Sequence, residues 1–215
     1  MIFDHLGEPL ELLPQRALHL PKRKLLILAD LHFGKVNHFR KSGIPVPEKA
    51  NDSNSTRLIE CIQHTKVERV IFLGDLFHSH YNFEWEVVGQ IRSHFVGVDF
   101  LLIEGNHDIL SDQQYARHHI QVLNQLEVGP YLLTHEPLEE SSTSNLYNIA
   151  GHIHPGVRLM GTARQSLMLP CFYFGKQQAL LPAFGSFTGL ARISAKKEDR
   201  IFVIAEHKIM ELSYA

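Results

Sequence analysis

Short, largely apolar runs, each closed by aspartate, glycine or histidine, punctuate the first two thirds of the chain. Leu25 to Ala29, Val70 to Leu73, Asp99 to Ile103, Tyr131 to Thr134 and Tyr147 to Ala150 are of this kind. Runs without polar alternation predict strands covered on both faces, and branched and aromatic side chains favour that geometry. Between them, Leu58, Cys61, Ile62 and Thr65 recur at helical spacing and predict a helix over 48–65. Val88, Ile91 and Phe95 predict a second helix, capped by Asn82, acidic in its first turn at Glu84 and Glu86, and ended by Gly97.

The flanks read differently. Leu10 to Leu13 and Ala17 to Leu20 suggest short strands interrupted by Pro14 and Pro21, followed by a solvated basic lead, Pro21 to Lys24. From Asp108 to Gln121 the chain is polar and poorly periodic, and no element is predicted there. Val157 to Leu159, Ser166 to Phe174, Gln178 to Leu181, Arg200 to Ala205 and Lys208 to Leu212 are strand-like, separated by glycine, proline and charge. A strand–helix half before a mostly strand half predicts one α/β domain over residues 1–215. The simplest assembly is a four-layer αββα sandwich, two mixed β-sheets flanked by helices. Residues 156–215 are read as completing the second sheet.

Composition changes this picture in three places. The 215 residues carry a formal net charge of −2, so any site for a polyanion must be local. Cys61 and Cys171 sit in apolar segments and read as small buried hydrophobes in a reducing compartment. The N-terminus lacks a basic region leading into an apolar run, and no stretch reaches membrane-span length; a cytoplasmic chain without membrane contact is expected. Oligomeric state is left open.

The outlying number is 15 histidines, many beside aspartate or glycine where an apolar run stops. Five strand ends carry candidate ligands: Asp30 and His32, Asp75, Asn106 and His107, His135, then His152 and His154. Sites in α/β sheets gather beyond the carboxyl ends of strands. Carboxylate, imidazole and carboxamide donors suit Mn²⁺, Fe or Zn²⁺, and the absence of thiolate excludes a cysteine-based zinc site. A carboxylate has two oxygens and can touch two ions, so Asp75 is read as the bridge of a two-metal site. His5, His19, His64, His94, His118, His119 and His207 read as surface or satisfied core residues.

Asp30-x-His32, Gly74-Asp75, Gly105-Asn106-His107-Asp108, His135 and Gly151-His152-x-His154 together resemble the five motifs of the calcineurin-like metallophosphoesterases. A closer similarity, to the bacterial DNA-ligase-associated metallophosphoesterases, extends through His32-Phe-Gly-Lys35, His38-Phe-Arg40, Gly43-Ile-Pro-Val-Pro47, Gly74-Asp-Leu-Phe-His78-Ser, Leu169-Pro-Cys-Phe172 and Leu181-Pro-Ala-Phe-Gly185-x-Phe-Thr-Gly189. The resemblance implies that Asp30, His32 and His154 hold one metal, that Asn106, His135 and His152 hold the other, and that Asp75 bridges them. It implies a catalytic His107, unliganded and acting as an acid, with Asp108 to orient it. The implied cofactor is a pair of divalent ions, Mn²⁺ first, with Fe, Zn²⁺ and Ni²⁺ as alternatives. The implied reaction is phosphodiester hydrolysis by in-line attack of a hydroxide shared between the metals. The implied setting is a nuclease of DNA or RNA in DNA repair, associated with a DNA ligase and a helicase.

Two readings of the loop from Phe33 to Lys41 stay open. Lys35, His38 and Arg40 can hold a flanking phosphate, with Phe33 and Phe39 against a base, or the loop is a solvated surface with core-facing phenylalanines. His78 either lines the substrate cleft or points away from it. Two alternatives to a nuclease also stand: a phosphodiesterase or phosphatase for small or cyclic nucleotides, and a non-catalytic, metal-stabilised scaffold for repair enzymes.

Overall fold

A computed structural model of the chain describes residues 1–33, 49–77, 83–139, 145–161, 165–186, 188–194 and 196–212, with residues 49–52 and 83 described as backbone only. The first sheet opens with an antiparallel meander, β1 (Ile2–His5), β2 (Glu8–Leu13) and β3 (Ala17–Leu20), which leads into β4 (Leu25–Ala29). From there it is parallel: β4, β5 (Arg69–Leu73), β6 (Asp99–Ile103) and β7 (Ile120–Leu123), in that order. Helix α1 (Lys49–Thr65) precedes β5, α2 (Phe83–His94) precedes β6, and the short α3 (Asp112–Arg117) precedes β7. Parallel neighbours need crossovers of this kind, and their strands end at one edge.

The second sheet runs β14 (Ala191–Arg192), β11 (Pro155–Met160), β12 (Ser166–Phe174), β13 (Gln178–Leu180), β10 (Tyr147–Ala150), β9 (Tyr131–Thr134) and β8 (Leu126–Val128). β15 (Arg200–Ala205) pairs with the last part of β12, and β16 (Lys208–Leu212) with β15. β9, β10 and β13 are parallel and also share a carboxyl edge.

Period-two alternation decides which side chains lie between the sheets. Ile27, Ile71, Leu73, Leu101 and Ile103 from the first sheet pack with Tyr131, Leu133, Ile149, Phe172, Phe174 and Phe202 from the second. The residues of opposite parity, Leu26, Leu28, Val70, Phe72, Phe100 and Leu102, pack with Leu58 and Ile62 of α1, Trp85 and Val88 of α2, and Tyr115 of α3. Each fully buried side chain of this size contributes about 1.5–3 kcal/mol over exposure. The helices among the described residues thus cover the first sheet. The far face of the second sheet carries a smaller apolar group, Val157, Cys171, Ile201 and Val203, to which no helix among the described residues contributes. The class is α/β with two mixed sheets, as the strand–helix pattern predicts.

Four strands, β1, β7, β8 and β14, and helix α3 are absent from the sequence reading. β1 sits at a sheet edge with no fully buried residue, and β7 buries only Ile120, so neither shows a continuous apolar run. α3 has six residues, too few for helical periodicity. Its start is marked instead by Ser111 and Gln114, where the Ser111 N–H donates to Gln114 Oε1 at 3.0 Å. No helix among the described residues is long and apolar enough to cross a membrane.

Candidate metal centre

The carboxyl edges of the two sheets meet, and the expected ligands stand there. Asp30 and His32 follow β4, Asp75 follows β5, and Asn106 to Asp108 follow β6. His135 follows β9, and His152 and His154 follow β10. Asp30, His32, Asp75, His152 and His154 all adopt left-handed backbone conformations, with φ of 53°, 50°, 49°, 65° and 53°. Each such residue costs of order 1–3 kcal/mol and persists only when its surroundings over-determine it. The surroundings here are backbone bonds between neighbouring strand ends. Asp30 N–H donates to Gly74 O at 3.2 Å, His32 N–H to Asp75 O at 2.9 Å, and Gly151 N–H to His135 O at 3.0 Å. Gly74 has φ 72°, and a Cβ there would fall on the His135 ring. At Gly105 a Cβ would come within 2.6 Å of Asp75 Oδ1.

Two donor sets result: Asp30, His32 and His154, and Asp75, His135 and His152, each with donor atoms within 4.8 Å of one another. Asp75 faces both. Its Oδ1 lies 3.6 Å from His135 Nε2 and its Oδ2 lies 3.7 Å from His32 Nε2. In the first set His154 Nε2 stands 3.5 Å from Asp30 Oδ1. In the second, His152 Nδ1 faces His135 Nε2 at 3.1 Å. His135 Nδ1 bonds the Leu73 carbonyl at 2.9 Å. A carbonyl only accepts, so Nδ1 carries the proton and Nε2 presents its lone pair inward.

This arrangement fits divalent cations. Asp30 and Asp75 are 0% and 4% exposed, and their ion-pair partners among the described residues are imidazoles. Buried carboxylates without strong cationic partners are costly unless an ion compensates them. His154 Nε2 is likewise buried without a hydrogen bond among the described residues. The donors converge as ligands would.

Asn106 and His107 are exposed at the rim of this cluster. The His107 N–H donates to Asp75 Oδ1 at 3.0 Å, and its ring meets the His32 ring edge-on, centroids 5.5 Å apart. Asp108 is buried, and its carboxylate accepts the Gly105 N–H at 2.9 Å and the Phe77 N–H at 3.2 Å. It therefore braces the loop that carries His107 against the loop after β5. Burial pushes the Asp108 carboxyl up to about 7; the two N–H groups oppose that shift, and the Asp75 charge adds to it. Of the residues expected to hold substrate, Lys35, His38, Arg40 and His78 lie outside the described residues.

Leu181-Pro-Ala-Phe-Gly185 passes directly behind the donors, and nothing in its residue types marks a role there. Its apolar residues carry no metal-ligand signal, and the contacts that matter are made by its backbone. Leu181 N–H donates to Ala150 O at 2.8 Å, Phe184 N–H to Ala29 O at 2.8 Å, and Gly185 N–H to Asp30 O at 3.0 Å.

The calcineurin-like phosphoesterase family model matches residues 23–181, a span that contains every donor named above together with His107 and Asp108. Among solved structures, the Pseudomonas putida nuclease MPE is similar over 99% of each chain, at 28% sequence identity and a TM-score of 0.80. The E. coli phosphoesterase Yfce covers 88% of this chain and 98% of its own, at 13% identity and a TM-score of 0.46. A search of curated proteins finds no match. With two donor sets at the meeting edges of its sheets, the chain belongs to the calcineurin-like phosphoesterase family and is a metal-dependent phosphoesterase.

Proposed function

We propose that this phosphoesterase is a two-metal phosphodiesterase acting on nucleic acid, a nuclease of DNA repair that works beside a ligase and a helicase. The observation that carries the two-metal reading is Asp75, whose two oxygens face histidines of different donor sets. Asp30, His32 and His154 would hold one divalent ion, Mn²⁺ before Fe, Zn²⁺ or Ni²⁺. Asn106, His135 and His152 would hold the other, with Asp75 shared. Bound there, the ions supply Lewis acidity: they lower the pKa of water and offset charge on phosphoryl oxygens.

The remaining work falls to the chain. The Leu73 carbonyl and the buried wall of the site hold the His135 ring in its donor tautomer. His107 is exposed beside the donors and fixed through its N–H on Asp75, so its imidazole is placed to protonate a leaving oxygen. Asp108 keeps that loop in place. No protein nucleophile is needed, so no phosphoenzyme is expected. The nucleic-acid part of the reading is supported by the similarity to a nuclease along the whole chain and by the basic residues Lys35, His38 and Arg40 just after the first donors. The link to a ligase and a helicase rests on the sequence resemblance.

The test is hydrolysis by Mn²⁺-loaded protein of bis-p-nitrophenyl phosphate, single- and double-stranded DNA, RNA and cyclic nucleotides. Cleavage of the chromogenic diester and of a polynucleotide is expected. Hydrolysis confined to cyclic or small nucleotides would move the substrate to that class. Two bound ions with no hydrolysis of any ester would make the chain a scaffold.

A further inference from the structure

The segment from Leu181 to Gly185 crosses from one sheet to the other in five residues. At its start Leu181 is bonded to the last residue of β10, just before His152. At its end Phe184 and Gly185 are bonded to Ala29 and Asp30, and Ala183 bridges Ala29 in parallel. Pro182, between them, restricts the backbone of the crossing. Gly185 has no room for a side chain: a Cβ would stand 2.7 Å from Leu31 O and 3.1 Å from Asp30 O. The strap is therefore seated on the Asp30–His32 turn, whose backbone is left-handed at both donors.

Two arginines from separate elements grip the other side of this strap. Arg16, in the turn between β2 and β3, donates through Nη1 to Ala183 O at 3.1 Å and to Gly185 O at 3.3 Å. Arg57, from α1, donates through Nη2 to Phe184 O and to Asn54 Oδ1, the latter at 2.7 Å, and its guanidinium lies over the Phe184 ring at 4.6 Å. Asn54 in turn donates to Leu31 O at 3.5 Å, inside the donor turn itself. Three successive carbonyls of the strap are thus held by cations. The two guanidinium groups are largely buried and repel each other, and burial together with the Arg16 charge lowers Arg57 to about 10. Apolar residues would fill this space without desolvating two like charges. What they would not supply is a rigid planar fork that fixes backbone oxygens.

We propose that Arg57 and Arg16 are positioning residues for the phosphoesterase reaction. Through the strap they set where the Asp30–His32 turn stands relative to Asp75 and His152, and hence how tightly the first donor set binds its ion. The proposal rests on the two-metal reading above. It falls mainly on one set: the arginines hold the end of the strap that is bonded to Ala29 and Asp30, whereas Leu181 at its start meets Ala150 ahead of His152, and His135 is held by the Leu73 carbonyl.

The experiment is Mn²⁺ titration followed by calorimetry and by electron paramagnetic resonance, on the wild-type chain, Arg57→Met, Arg57→Lys and Gly185→Ala. The wild type is expected to take two ions with an exchange-coupled spectrum. Arg57→Met is expected to weaken one of the two affinities by roughly ten- to hundredfold, the range for residues that orient metal ligands, and to weaken the other less. At equal loading its spectrum becomes that of isolated Mn²⁺, and excess Mn²⁺ restores turnover. Arg57→Lys keeps the charge but not the fork and should fall between. Gly185→Ala leaves both arginines in place, pushes the same turn from the strap side, and should weaken the same ion; it decides the matter if Arg57→Met does not fold. A folded Arg57→Met or Gly185→Ala chain with both affinities unchanged would overturn the proposal alone. A wild-type chain that never takes a second ion would overturn the two-metal reading and the proposal with it.

Discussion

The Asp30 carboxylate accepts the backbone N–H of His152, at 2.9 Å to Oδ2 and 3.2 Å to Oδ1. Asp30 closes a strand of the first sheet and His152 follows a strand of the second, so this contact joins the sheets at the donors themselves. The two donor sets are therefore mechanically coupled. In Asp30→Asn the amide oxygen can still accept that N–H, but the first set loses its only carboxylate outside Asp75. The variant is expected to retain one ion at most and to lose at least about a hundredfold in diesterase rate. Metal analysis beside bis-p-nitrophenyl phosphate turnover checks both; two retained ions would show that Asp30 is not a ligand.

His107→Ala is expected to separate binding from chemistry. His107 is exposed, and its backbone N–H makes a bond to Asp75. His107→Ala should keep both ions and lose roughly 10²–10⁴ in rate, the scale of a positioned acid. A missing ion would reassign it as a ligand, and an unchanged rate would remove its catalytic role.

The donors were legible because each stands where a fully buried strand stops. Leu25 to Ala29 and Val70 to Leu73 are continuous apolar runs, and parallel strands bring their ends to one edge whatever the loops do. What could not be read was how the donors turn inward. The left-handed φ at Asp30, His32, Asp75, His152 and His154 belongs to residue types that do not require it, and follows from bonds between strand ends far apart in sequence. The strap was visible as a motif but without a role, because its partners Arg16 and Arg57 lie more than a hundred residues away. Edge strands such as β1, exposed on alternate residues, lack the burial that makes a strand conspicuous.

The basic residues after the first donors are expected to distinguish a polynucleotide from a small diester. A polynucleotide carries further phosphates beyond the scissile one, and a chromogenic diester does not. Replacing Lys35 and Arg40 together should leave metal content and small-diester hydrolysis nearly intact. It should weaken oligonucleotide binding and flatten its dependence on salt. Equal loss on both substrates would place these residues at the reacting phosphate.

Alkaline pH should destabilise the fold through its thiols. Burial pushes both Cys61 and Cys171 from 9.0 up to about 12. The folded values lie above the unfolded ones, so the stability they confer is complete below about pH 9 and is lost as pH rises toward 12. Within that window each thiol removes up to roughly 1.4 kcal/mol per pH unit. Thermal unfolding at pH 8 and 10.5 should show a shallower loss for a Cys61→Ala, Cys171→Ala chain than for the wild type. Parallel losses would contradict this.

Asp75→Asn probes whether one carboxylate serves two ions. The substitution keeps the size and removes the charge shared between His32 and His135. Metal content and diester turnover are measured on the same preparation. The expected result is loss of one or both ions together with loss of activity. Two retained ions and near-wild-type turnover would show that Asp75 is not the bridge.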